Sequence, residues 1–147
     1  GRKGFINAMN VKAIQLGMQN SQFRDPTGLD KRNISTANDL LKLVRAAYQY
    51  SLIRELTTTP SENIKMGKKS NSINFNNTNP LVRKGGWNIG LSKTGFIRES
   101  GRCLVLQTVI DDEPIIIVLL NSYGKLTRFA DVKRIRNWMN RINKKKT

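Results

Sequence analysis

A lysine, a threonine and a glycine stand in a row at Lys93-Thr94-Gly95, inside the run from Trp87 to Phe96. An ammonium group and a hydroxyl together hold a carboxylate, and a glycine lets a ligand backbone come close to its strand. Trp87, Ile89 and Leu91 alternate with Asn88, Gly90 and Ser92, which predicts a β-strand leading into the tripeptide. Strict alternation sends Lys93 and Thr94 to opposite faces. They serve one site only where a cleft runs along a strand edge, or where the strand twists. An edge strand also offers free N–H and C=O groups, on which a peptide docks as an added strand. By itself the tripeptide is a weak sign, arising by chance in roughly 3% of chains this long. Its surroundings have to carry the weight.

Other residue types narrow the chemistry. The chain has no histidine, which removes Ser-His and Cys-His dyads and most zinc sites. Cys103 is the single cysteine, so no intrachain disulfide forms. It opens an apolar run and is expected to be a small buried hydrophobe instead of a nucleophile. No metal or cofactor is expected. Formal net charge is +16, from 26 Lys and Arg against 10 Asp and Glu, which favours anionic partners. Nucleic acid fits poorly among them, because the aromatics are sparse, lie on apolar faces and do not interleave with the cations. The lysines at Lys144, Lys145 and Lys146 read as a solvated tail. There is no run of about 18 apolar residues, hence no expected membrane-spanning helix.

The elements that must position Lys93 and Thr94 are legible in outline. Arg2 to Leu16 carries Phe5, Ile6, Met9, Ala13 and Leu16 at helical spacing. Asn20 to Asn33 reads as a loop around Asp25-Pro26-Thr27-Gly28. Thr36-x-x-Asp39 resembles a capping box opening a helix whose stripe is Leu40, Leu43, Val44 and Ala47. A short helix is expected over Leu52 to Leu56. Ser61 to Pro80 is polar, either an extended hairpin or a loop, with Ile73 and Phe75 hinting at one short strand. Cys103 to Ile110 and Ile115 to Leu120 are apolar strands joined at Asp111-Asp112-Glu113-Pro114, and they predict a hairpin. Thr127 to Ile142 is a helix with Phe129, Val132, Ile135, Trp138, Met139 and Ile142 on one face, expected to pack on that hairpin. The fold class is therefore α+β: an antiparallel sheet, three strands from this chain, packed by helices. Residues 1–60 form a helical part and 61–147 a sheet part, together one incomplete domain.

Pieces along most of the chain carry a resemblance. They are Met9-Asn-Val-Lys-Ala13, Leu16-Gly17-Met18, Phe23-Arg-Asp-Pro-Thr-Gly-Leu29, Ser35-Thr-Ala-Asn-Asp-Leu40, Asn77-Thr-Asn79, Lys93-Thr-Gly-Phe96 and Gly101-Arg-Cys-Leu104. In that order the chain resembles the low-molecular-mass penicillin-binding proteins, most closely the D-alanyl-D-alanine endopeptidases and carboxypeptidases, whose motifs are Ser-x-x-Lys, Ser-x-Asn and Lys-Thr-Gly. The resemblance implies the β-lactamase-like transpeptidase fold, a bacterial periplasmic location, and acylation of a serine by wall peptide or by β-lactams. It gives Lys93, Thr94 and Gly95 the substrate's carboxylate, and Lys93 a further electrostatic role in catalysis. The backbone N–H of Phe96 becomes half of the oxyanion hole.

The family keeps its nucleophile ahead of the helix with which this chain begins. Ser122-Tyr-Gly-Lys125, Ser61-Glu-Asn63 and Ser72-Ile-Asn74 match the serine motifs only as strings, so no nucleophile is expected here. The absent part would supply two strands of a five-stranded sheet. Ile115 to Leu120 is then expected to present an apolar edge, to be met by that part as another polypeptide or by a second copy. The alternative reading is a non-catalytic module of the same fold that binds wall polymer or protein.

Overall fold

The computed structural model describes residues 1–66 and 71–145. In chain order its elements are α1 (Arg2–Gln15), α2 (Ala37–Ala47), α3 (Ser51–Thr58), β1 (Ser61–Met66), β2 (Asn71–Asn76), α4 (Pro80–Lys84), β3 (Asn88–Ile97), β4 (Gly101–Ile110), β5 (Glu113–Ser122) and α5 (Thr127–Asn143). The three apolar strands make an antiparallel sheet in the order β3-β4-β5, as the sequence predicts. Asp111 and Asp112 form the two-residue turn between β4 and β5, both at positive φ (49° and 63°). That geometry matches strand twist, and Asp tolerates it better than most side chains.

One face of the sheet carries the core. Leu104 on β4 pairs with Leu119 on β5, and Leu106 with Ile117. Leu104, Leu106 and Ile117 pack with Leu81 of α4 and with Phe129 and Val132 of α5. The expected stripe of α5 is thus only half used: Trp138 stays 56% exposed. On the opposite face lie Leu41, Arg45 and Tyr48, lining one cleft with Gln107 and Ile116. Tyr48 and Gln107 also explain Gly90. A Cβ there would collide with Gln107 Oε1 and Tyr48 Cε2, and the β3–β4 register shifts at this point, between Ile89 and Leu91.

The polar middle folds as the extended hairpin that the sequence allowed, followed by one short helix that its pattern hides. Ile73 and Phe75 do lie on a strand, β2, and Ser61–Met66 supplies its partner, with Ile64 opposite Ile73. All three apolar side chains remain exposed, so no buried face disciplines the alternation. The other element is α4. It is set by Asn79, whose Oδ1 accepts the N–H of Leu81 at 2.9 Å, and by Pro80 at the first helical position. Lys146 of the expected tail lies outside the described residues.

Side-chain bonds, together with one isolated antiparallel bridge between Gln22 and Ile34, order the Asn20 to Asn33 loop. Thr36 Oγ1 accepts the N–H of Asp39 at 3.2 Å, one half of the expected capping box. The other half is diverted: the Asp39 carboxylate accepts from Asn20 N and Ser21 Oγ, both at 2.8 Å, and from Lys42 Nζ. Burial pushes the Asp39 carboxyl up, but these donors outweigh it and hold it below the usual aspartate range. Asp25 is held low by Thr27 Oγ1, against burial, with help from the N–H groups of Leu29 and Thr27 and from Arg2.

Two measurements check this account. Leu104→Ala should cost about 2–5 kcal/mol in denaturant unfolding, the usual penalty for emptying a filled core position. Because the folded-state pKa values of Asp25 and Asp39 are lowered, their stabilisation is whole above the ordinary aspartate pKa. It is lost as pH falls through the lowered values. Melting temperature should therefore drop on acidification, and Asp39→Asn should lower it at neutral pH while flattening the acid limb. An unchanged acid limb in that variant would contradict the assignment.

Candidate functional site

The tripeptide lies on β3, the outer strand of the sheet. Successive residues of an antiparallel strand turn their N–H and C=O alternately toward the partner and away. Ser92 fixes the phase: its N–H reaches Thr57 Oγ1 of α3 at 3.4 Å, away from β4. From Leu91 to Ile97 the β3–β4 register runs without a break. The N–H groups of Thr94 and Phe96 therefore share the outer edge with that of Ser92. The same edge carries the Thr94 carbonyl, to which Lys93 Nζ donates at 2.7 Å.

That last bond resolves the problem of opposite faces. The Lys93 side chain leaves on one face and bends so that its ammonium sits at the strand edge. On the other face, Thr94 Oγ1 lies 2.6 Å from Thr78 Oγ1. Lys93 is exposed and has no carboxylate partner among the described residues. Gly95 is also exposed, and a Cβ there would meet nothing nearer than Cys103 Cβ at 3.9 Å. Phe96 is 54% exposed, with the Arg102 guanidinium 4.3 Å from its ring centroid. Cys103 is half-buried, less enclosed than the sequence suggests, because β3 is bare glycine opposite it.

A buried polar clamp holds β3 at the start of the tripeptide. Asn79 is wholly buried and donates from Nδ2 to Ser92 Oγ at 2.9 Å. Asn77 Nδ2 donates to the carbonyls of Thr57 and Thr59, both at 3.0 Å, and its Oδ1 accepts the N–H of Asn79. The turn Asn77-Thr78-Asn79 thus ties α3, α4 and β3 together and sets Thr78 beside Thr94. Sequence reading marked the Asn77-Thr78-Asn79 string but missed Thr57 and the pairing of Thr78 with Thr94. Their partners are 35 and 16 residues away, and an isolated threonine gives no local signal.

The serine strings stand apart from this edge. Ser61 and Ser72 lie exposed on the β1–β2 hairpin. Ser122 ends β5, opposite Arg102, with β4 between it and β3. Among the described residues no three of Cys, Asp and Glu come together as metal ligands would.

Residues 1–124 match a family model described as D-alanyl-D-alanine carboxypeptidase. A D-alanyl-D-alanine endopeptidase of Escherichia coli is 48% identical over 139 residues, which are 95% of this chain and 45% of that protein. One from Pseudomonas aeruginosa is 44% identical with the same coverage. Among solved structures, a Streptomyces DD-transpeptidase superposes with a TM-score of 0.81 at 28% identity, over 92% of this chain and 53% of that one. The chain spans about half the length of the curated relatives it matches.

The clamp is open to direct test. Asn79→Ala removes the bond to Ser92 and the cap of α4 from a buried position, and should destabilise the chain by roughly 1–3 kcal/mol. Amide exchange should then speed up at Ser92 and at the β4-facing N–H groups of Leu91 and Lys93 more than in the middle of β4. Uniform exchange across the sheet would mean that the turn does not hold β3.

Proposed function

The chain belongs to the D-alanyl-D-alanine carboxypeptidase family, and we propose on that footing that it is one wall of a serine-type D,D-peptidase site acting on peptidoglycan peptides. The observation that carries the reading is the outer edge of β3. Along it lie an ammonium without a counter-ion, the outward N–H of Thr94, a glycine with open space above it, and the N–H of Phe96. An extended peptide pairs with such an edge. Its terminal carboxylate meets Lys93 and Thr94, while Gly95 lets the backbone approach.

The scissile carbonyl then lies near Phe96, whose N–H is one donor to the oxyanion. Preorganised donors at that position stabilise the charge that develops on acylation. Lys93 adds positive potential, favouring the deprotonated form of the attacking group. Among the described residues no serine stands beside that edge with a lysine base, so the nucleophile is assigned to a part of the fold outside them. A β-lactam, which carries a carboxylate beside its reactive carbonyl, is held in the same way. The place of action is the periplasm, where wall peptides are found.

The free edge of β5 bears on partners. Its far side pairs with no described strand, and Leu120 is 41% exposed there. Such an edge takes up another strand readily. We assign it to the part of the fold that brings the serine, or to a second copy of this chain.

Four outcomes are expected. The isolated chain, treated with labelled penicillin, should give no acyl adduct by intact mass; a stable adduct would overturn the split site. In a protein that joins this chain to its serine-bearing part, Lys93→Ala should slow acylation on the order of 100-fold or more, in the range for lost oxyanion-type stabilisation. Gly95→Val in that protein should leave the melting temperature nearly unchanged but weaken peptide binding. Unchanged acylation in both variants would remove the β3 edge from the reaction. Light scattering after size exclusion should find the isolated chain associated, and a clean monomer would count against the role given to β5.

A further inference from the structure

The first turn of α5 is electrostatically inverted. Helix N-termini carry partial positive charge and favour acids or anions. Here the first turn holds no acid, the N-cap is Leu126 with no side-chain cap, and the second residue is Arg128. Arg128 is only 6% exposed, and its Nε finds no acceptor. Its Nη1 donates to the Lys125 carbonyl at 3.1 Å, which folds the guanidinium back toward the start of the helix. The ring of Phe129 is 4.4 Å from its Cζ. Burial pushes the Arg128 guanidinium down, and the nearby charge of Arg102 pushes it further. Every ion pair among the described residues uses Asp25, Asp30, Asp39 or Asp131, so neither Arg102 nor Arg128 has a carboxylate.

These costs share one remedy. Phe129 and Ala130 give their N–H groups to the Leu126 carbonyl, leaving those of Thr127 and Arg128 as the orphan donors of the helix start. An anion at that point would accept from them, neutralise a buried guanidinium and screen it from Arg102. We propose that the N-terminus of α5, with Arg128 and Arg102, is a binding site for an oxyanion, a carboxylate or a phosphate group. Arg102 also covers the ring of Phe96, so the site adjoins the end of β3 but stands on the α5 face of the sheet. It is separate from Lys93, and it does not depend on the peptidase reading.

The test is a titration of the full chain, followed by amide resonances, with inorganic phosphate, with glutarate, and with chloride at matched ionic strength. Thr127 and Arg128 should shift saturably with phosphate, with glutarate or with both, and not with chloride. Phosphate alone would assign the site to phosphate groups, glutarate alone to carboxylates. Arg102→Gln should weaken the effect roughly tenfold, the worth of one charge-assisted bond. Thr127→Glu supplies the missing charge from the chain itself, so it should raise the melting temperature and abolish the response. Shifts no larger than with chloride, shifts spread evenly over the lysines, or a Thr127→Glu variant that is not stabilised would each overturn the proposal.

Discussion

An edge strand must be held firmly and yet left unpaired if a peptide is to lie along it. In this chain the two demands are met a few residues apart. At Ser92 the outer side of β3 is occupied by Thr57 Oγ1, and the side chain beneath is gripped by Asn79. From Thr94 onward the same side is open, apart from the reach of the Lys93 ammonium. A neighbouring strand would hold β3 more tightly but would consume the donors that a ligand needs. Side-chain clamps fix one point of the strand and leave the next two outward N–H groups unspent.

Of the polar groups that do this, Asn79 and Ser92 are buried and Asn77 and Thr57 half-buried, and the cost is met by pairing. Asn77 and Asn79 use both ends of their amides, and Asn79 also caps α4. A buried network of this kind is informative because a half-satisfied version would be worse than an apolar one. The acids of the chain show the same economy. Asp25 and Asp39 spend their charge on backbone N–H groups and on ordering a loop. With few acids, and only four of them in ion pairs among the described residues, most of the described cations face outward without a carboxylate.

Legibility from sequence followed burial. β4, β5 and α5 were readable because they are covered: α5 on one side, which writes a helical period, and β4 on both faces, which with β5 writes a nearly continuous apolar run. The β1–β2 hairpin has no covered face, so its polar composition pointed equally to a loop. α4 is too short to show a period, and only the Asn79-Pro80 pair marks it. For the site, residue type identified Lys93, Thr94 and Gly95, but alternation set the first two on opposite faces. The resolution is the bend of a flexible side chain, which no pattern records. Asp39 is a similar case: its spacing from Thr36 suggested reciprocal capping, and a loop 19 residues away captured the carboxylate instead.

The Asp111-Asp112 turn bears on how the chain finds this arrangement. Both residues sit in a conformation that matches the twist of the strands on either side, so β4 and β5 meet with almost no loop to close. Hairpins of this type zip on a scale of about 1–10 μs. β3 then joins through another short connection, so the whole sheet grows from neighbours in sequence. Thr57 and Asn79 can only reach Ser92 once that platform exists. The ligand-facing edge is in this sense the last part of the molecule to be fastened, and the first that a mild denaturant would release.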